Sequence, residues 1–160
     1  MESSDLPIQE LQSFEYLVPN DQPIGNLYYT AVLARYASKS GKRLFVPVNF
    51  VNAFHKVPSI SENRQHPIDV RQGYVEIDTI AIVLPVGAKV ESVGDNFKLA
   101  TPYGTYELEI QQATNKIICI RRLLVHATKI PKEESQAWRE FYQQVAKKDS
   151  SKIVILLNQA

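Results

Sequence analysis

The chain has 160 residues, of which 44% are hydrophobic and 22% charged. These values are typical of one globular domain and exclude a disordered tail or a collagen-like chain. Lys and Arg total 18 against 17 Asp and Glu, so the net charge of +1 predicts no general attraction to nucleic acid or anionic lipid. One cysteine cannot form an intramolecular disulfide.

The first residues, MESSDLP, lack the positive charge and the apolar run of a signal peptide. Apolar runs elsewhere have strand length, far below the roughly 20 residues of a membrane span. We therefore expect no membrane span in this chain.

The first part of the chain gives weaker patterns. Residues 12–18 and 42–49 are typical of strands, and Pro47 should lie at the edge or end of its strand because it has no backbone N–H. Residues 27–37 fit a helix or a strand, and we interpret them as a strand that turns through residues 38–41 into the next one. We divide the chain into a lead-in segment or first strand over residues 1–24 and a β-domain over residues 25–160.

Residues 50–72 have no sustained period and contain Pro58 and Pro67, which predicts a long connection across one end of the fold. From residue 74 the pattern alternates. Apolar residues occupy one side, and Glu76 and Asp78 begin the other side. The residues on the apolar side are Val75, Ile77, Thr79, Ala81 and Val83. This pattern indicates a strand that is half-solvated at first and then buried on both faces.

Strands then follow at short intervals. Residues 89–93 are followed by a turn at residues 94–96 and a returning strand over 97–101. Residues 105–111 alternate with Tyr106, Leu108 and Ile110 inward. A long strand over residues 116–128 completes an antiparallel meander.

A helical period replaces the strand period after Pro131, which suits a first helical position. The apolar stripe of this helix comprises Ala137, Trp138, Phe141, Tyr142 and Val145. Residues 149–151 end the helix, and the apolar residues 153–157 form a final strand in a central or doubly covered position. The sequence thus predicts a mainly β fold, an antiparallel β-sandwich of about eight or nine strands with one α-helix before the last strand.

A thiol enzyme needs a reactive cysteine near an imidazole. Cys119 lies between isoleucines, at odd separation from His126 on the same predicted strand, so these two side chains point to opposite faces. Pairing with His55 or His66 through the fold stays open, but we interpret Cys119 as a small buried hydrophobe. The histidines have no metal-ligand spacing, and we predict no catalytic residue, metal or cofactor.

The densest polar cluster spans residues 62–71. Arg64, His66 and Asp69 could form a binding corner on a loop, where binding groups often lie. The alternative is that Arg64 caps carbonyl groups or pairs with Asp69 and so fixes a long irregular connection.

Two further patterns have both functional and ordinary interpretations. Glu107 and Glu109 share the outer face of one strand, which could hold an acid–base pair but is more typical of a solvated face. Several tyrosines could form a glycan-stacking platform, although strands are usually rich in them; they are Tyr28, Tyr29, Tyr36, Tyr74, Tyr103 and Tyr106.

Several segments together resemble a known domain family, in matching order. They are YASKSGKRLFVPVN (36–49), RQHPI (64–68), YVEID (74–78), LPVG (84–87), GTY (104–106), IRR (120–122) and IPKEESQAWREFY (130–142), followed by residues 148–149 and the closing strand. Across roughly residues 25–158 the chain resembles the β-rich C-terminal domain of unknown function that follows the transglutaminase-like domain in exported proteins of Bacteroidetes-type bacteria.

The resemblance implies a β-sandwich-like accessory domain beside a papain-fold catalytic domain, in the periplasm or cell envelope. No residue here matches the catalytic motifs of that neighbour, so none carries over. We expect a non-catalytic domain that packs against neighbouring domains of a larger protein, or binds another protein or a glycan. The alternatives are a glycan-binding module and a thiol enzyme using Cys119.

Overall fold

The structure is a computed structural model that describes residues 8–158 except 20, 22 and 62. The first seven residues of the predicted lead-in segment thus lie outside the described part. The elements found within the described residues are β1 (Ile8–Leu17), β2 (Asn26–Leu33), β3 (Ser38–Ser40), β4 (Arg43–Pro47), β5 (Ile68–Val70), β6 (Tyr74–Val83), β7 (Lys89–Ser92), β8 (Phe97–Thr101), β9 (Gly104–Gln112), β10 (Lys116–Val125), β11 (Thr128–Ile130), α1 (Ser135–Asp149) and β12 (Lys152–Leu156).

Two antiparallel four-stranded sheets form the body of the fold. Sheet I has the order β6-β10-β9-β8, and sheet II has the order β3-β4-β12-β7. The pairs β1-β2 and β11-β5 form separate two-stranded sheets. The predicted mainly β, sandwich-like fold with one helix before the last strand is therefore confirmed. The described residues form twelve strands, whereas about eight or nine were predicted. The additional strands are β3, β5 and β11, which have only three residues each.

The meander of sheet I follows the predicted alternation. Tyr106 and Leu108 of β9 are buried at 0% and 2% exposure, and the neighbouring Glu107 and Glu109 are only partly covered. Pairing of β9 with β10 places Tyr106 opposite Leu123, which is also buried. The inner face of sheet I and the strands β4 and β12 of sheet II contribute to one apolar core.

The helix α1 closes this core with Phe141, Tyr142 and Val145, all buried. Trp138 is half-buried, and its ring meets the Tyr142 ring edge-on at 5.1 Å between centroids. Ala137 is exposed, so its predicted place in the buried stripe is wrong. Because successive helical residues are about 100° apart, Ala137 lies to the side of a stripe that runs through Trp138 and Val145.

The strand β6 differs from its prediction. Its apolar side faces outward, with Val75 61%, Ile77 64% and Val83 72% exposed. The charged side faces inward, where Asp78 stands opposite Arg121 of β10. The expected solvation is therefore wrong for Asp78, which is 11% exposed, and is met in part by Glu76, which is 35% exposed. A buried cation on the neighbouring strand holds both carboxylates on the inner side.

The predicted return of residues 89–93 onto residues 97–101 is also wrong. The segment β7 pairs with β12 in sheet II, and β8 pairs with β9 in sheet I. The turn between them, with Gly94 at φ 76°, therefore carries the chain from one sheet to the other. The predicted strand over residues 27–37 is present as β2, but it pairs with β1 rather than with β4. Pro47 lies at the end of its strand, as expected.

We predict that Phe141→Ala lowers the free energy of unfolding by about 3–5 kcal/mol, because its ring is 2% exposed and leaves a cavity when removed. Trp138→Ala should cost less, since part of its ring is already in contact with solvent. Urea denaturation followed by circular dichroism measures both. Equal losses would contradict the observed difference in burial.

Candidate functional site

The predicted binding corner lies in the connection between β4 and β6. The Nε of Arg64 donates to the carbonyl oxygen of His66 at 2.8 Å, and its Nη2 donates to that of Pro67 at 3.2 Å. Asp69 accepts a hydrogen bond from Arg71 at 3.3 Å. Arg64 thus caps carbonyl groups, as in the alternative interpretation, and ligand binding by Arg64, His66 and Asp69 stays a prediction.

Arg64 also lines a groove between residues 59–65 and the start of α1, with a volume of about 740 Å³. Lys132 and Arg139 line the opposite wall, together with Glu133. Local sequence patterns do not connect these residues, because more than sixty positions separate Arg64 from the helix. Among the described residues that line it, the groove combines three basic side chains with one acidic side chain.

Cys119 lies in the core at 1% exposure. Burial raises the pKa of its thiol from 9.0 to about 11. His55 and His66 lie exposed on the connection after β4. The Nδ1 of His126 lies 3.0 Å from the carbonyl oxygen of Pro102. A thiol in this environment is protonated near neutral pH and has the character of a small apolar side chain.

The two carboxylates on the outer face of β9 belong to a surface ion-pair network. An Nη1 atom of Arg122 lies 3.5 Å from Glu107 and 3.9 Å from Glu109. Lys98 of β8 lies 3.7 Å from Glu107. These side chains are more than a third exposed, which is the solvated strand face that the ordinary interpretation predicts.

The tyrosines of the predicted glycan platform are dispersed. Tyr103 is 7% and Tyr106 0% exposed, so their faces are covered. The hydroxyl of Tyr36 donates to the carbonyl oxygen of Pro47 at 2.6 Å. Tyr28 and Tyr29 are successive residues of β2, and their side chains therefore point to opposite faces. The structure thus does not gather these rings on one surface.

A buried ionic cluster connects three elements, β10, α1 and β6, around Arg121, which is 2% exposed. Its Nε donates to Asp149 Oδ1 at 2.9 Å. Its Nη1 donates to Glu76 at 2.9 Å and to Asp78 at 3.0 Å. One cation of β10 thereby holds the end of α1 and the inner face of β6.

Asp149, the last residue of α1, has two further donors. The hydroxyl of Tyr106 donates to Oδ1 at 2.7 Å, and the backbone N–H of Phe54 donates to Oδ2 at 2.9 Å. Asn52 donates to Asp78 at 2.9 Å, so the connection after β4 contacts the cluster twice. The local sequence pattern around Asp149 indicates only a helix end, because its partners are distant in the chain.

Electrostatic interactions within the cluster keep Arg121 in its charged form. Burial alone would lower the pKa of Arg121, but the charge and hydrogen bond of Asp149, followed by those of Glu76, raise it above its ordinary value. Burial, followed by the charge of Asp149, raises the pKa of Tyr106. Each carboxylate in this cluster has Arg121 as a partner, which assigns the cluster a structural role. Within the described residues, no group of three or more His, Cys, Asp or Glu side chains is arranged to hold a metal ion.

Two apolar surfaces have no cover within the described residues. The first, which we call the outer β6 face, comprises Val75, Ile77, Thr79, Ala81 and Val83. The second, which we call the hairpin face, lies on one side of the β1-β2 pair. The strand pairing places these residues on it: Ile8, Leu11, Phe14, Tyr16, Leu27, Tyr29, Ala31 and Leu33.

We predict that Arg121→Met lowers the free energy of unfolding by about 3–5 kcal/mol, because it leaves Asp149 and two further carboxylates without their buried cation. The matched control is Arg122→Met on the same strand. Its side chain is 44% exposed, and its loss should cost at most about 1 kcal/mol. Thermal and urea denaturation measure both, and similar losses would refute the role of the cluster.

We also predict that iodoacetamide labels Cys119 of the native protein only slowly at pH 8 and labels it rapidly in denaturant. Linkage gives a second measurement. The pKa of the thiol is 9.0 in the unfolded chain and about 11 in the folded protein. The thiol's contribution to the free energy of unfolding is therefore constant below pH 9 and falls as the pH rises from about 9 to 11.

Cys119→Val should reduce the loss of unfolding free energy in the first part of this alkaline range, because the variant has no thiol to ionise. Tyr36 and Tyr142, whose pKa values are raised chiefly by burial, continue the decline at higher pH. Fast labelling of the native thiol, or the same pH profile in the valine variant, would contradict the buried position of the thiol.

Within the described residues, no helix is both long and apolar enough to cross a membrane. Among curated proteins, no sequence matches this chain. The crystal structure of a "putative protease" from Parabacteroides distasonis is similar in fold, with a TM-score of 0.52 and 15% sequence identity. The similarity covers 62% of this chain but 20% of that one, so the matched part is one fifth of that protein's length.

The sequence model of a domain family of unknown function with a solved structure, DUF3858, matches residues 42–155. The match includes sheet I, the helix α1 and the strands β4, β7 and β12 of sheet II, and it begins after the β1-β2 pair and β3. The chain belongs to this DUF3858 family of domains of unknown function.

Proposed function

We propose that the chain is a non-catalytic accessory domain of a larger exported protein that also contains a transglutaminase-like domain. The observation that carries this proposal is the fold similarity to only one fifth of a much longer chain. A fold that forms part of a longer polypeptide has neighbouring domains to contact. The resemblance of the sequence to the domain that follows a transglutaminase-like domain supports the identity of that neighbour.

We assign the contact with the neighbouring domain to the outer β6 face. Three of its residues, Val75, Ile77 and Val83, are 61–72% exposed, and the strand lies at the edge of sheet I. Contiguous apolar surface on a folded domain is typical of an interaction site. Arg122 of β10 stands opposite Ile77 on the same side of sheet I, so this apolar surface borders the ion-pair network of Arg122, Glu107 and Glu109.

The interaction role agrees with the position of Cys119. Its thiol is enclosed by the core, and its raised pKa opposes formation of the thiolate that a thiol enzyme requires. The catalytic chemistry of the larger protein would belong to the transglutaminase-like domain. The place of action would be the periplasm or the cell envelope, which cell fractionation can test.

The experiment begins with the gene. We expect the same reading frame, or an adjacent gene, to encode a transglutaminase-like domain. That domain, produced separately, should bind the present chain in isothermal titration calorimetry. Ile77→Glu should weaken binding at least about tenfold, because it buries a charge against an apolar surface.

The matched control is Lys39→Glu, on the exposed strand β3 at the edge of the other sheet, sheet II. It should leave the affinity within about twofold, since surface charges away from a contact contribute little. No transglutaminase-like domain in the gene neighbourhood, or equal binding by the Ile77 variant, would overturn the proposal.

A further inference from the structure

The side chains of the β1-β2 hairpin are more exposed to solvent than is usual for a stable two-stranded sheet. Every residue of β1 is exposed, and each strand has its main contacts with the other. An isolated two-stranded hairpin is at best marginally stable, and it needs another surface to bury one of its faces. Such a surface is absent among the described residues, so it must come from another molecule or another chain segment.

The two faces of the hairpin differ in polarity. The hairpin face has no charged residue, and Leu11 is 54%, Phe14 64% and Tyr16 60% exposed on it. The opposite face carries Glu10 and Glu15, together with Leu17, Tyr28 and Val32, which are 39–57% exposed. Charged side chains therefore occur on one side of the hairpin only.

The geometry points to a second copy of this chain as the occupant: we propose that two chains form a twofold-symmetric dimer in which their hairpin faces pack against each other. A twofold axis brings the same surface of both chains together, which requires that surface to be compatible with itself. The hairpin face meets this requirement because it has no charged residue, so no like charges approach. The net charge of +1 adds almost no repulsion between copies.

The area agrees with a dimer of modest affinity. Five residues of the face, including Ile8 and Leu27, are 43–64% exposed. With about 200 Å² for a large side chain, they offer on the order of 500 Å² per copy. The half-buried Tyr29, Ala31 and Leu33 add to this. The total is near the lower limit of roughly 1,000 Å² for a specific interface.

Sedimentation equilibrium over about 1–200 µM tests the proposal. We expect the wild-type mass to rise from one chain to two across this range. Phe14→Glu should raise the dissociation constant at least tenfold, because it places two charges in the apolar interface. The matched control is Tyr28→Glu, since Tyr28 is 57% exposed on the opposite face of the same hairpin. It should leave the dissociation constant within about twofold.

Circular dichroism and Trp138 fluorescence verify that each variant is folded, and Leu27→Lys replaces Phe14→Glu if the latter does not fold. A wild-type chain that stays monomeric at about 200 µM overturns the proposal without any variant. Equal effects of Phe14→Glu and Tyr28→Glu also overturn it. Binding of the transglutaminase-like domain that depends on Phe14, with no dimer, would assign the hairpin face to that domain instead. The proposal for the outer β6 face is tested separately through Ile77.

Discussion

The fold depends on one buried cation. Arg121 lies on a central strand of sheet I and reaches Asp149 at the end of α1 as well as two carboxylates of β6. Removing these charges from water is costly, and the hydrogen bonds of Nε and Nη1 offset only part of that cost, since the buried Nη2 has no hydrogen-bond partner among the described residues. The cluster is therefore better understood as a constraint on position than as a large source of stability. The helix end, the edge strand and the connection after β4 can each occupy only the place where their polar groups meet this guanidinium.

The same constraint determines the character of the surface. Side chains of a strand alternate between faces, so a strand whose carboxylates point inward must direct their neighbours outward. In β6 those neighbours are Val75 and Ile77, and they form the beginning of the outer β6 face. An apolar exterior is thus the consequence of a charged interior. The cluster around Arg121 therefore determines which residues of β6 form the outer β6 face, to which we assign the partner domain. The cluster residues themselves point to the other side of the strand.

Regular alternation made much of the fold predictable. The strands β9 and β10, the helix α1 and the closing strand β12 follow from patterns within about ten residues each. Alternation identifies two faces of a strand but does not say which face is inside, and this is why β6 was assigned the wrong way round. The role of Asp149 depends on Arg121, 28 positions earlier, and on Phe54, 95 positions earlier. The groove at Arg64 likewise combines distant segments. Such sites depend on tertiary proximity, which a single sequence does not display.

The position of β12 has a consequence for folding during synthesis. This strand lies inside sheet II, where it pairs with β4 on one side and with β7 on the other. The ribosome synthesises its partner strand β4 (Arg43–Pro47) about one hundred residues before β12. Until the ribosome has released Lys152–Leu156, both partners expose unpaired backbone groups. A nascent chain that stalls after α1 would therefore present two open strand edges, which chaperones recognise and which other nascent chains can capture.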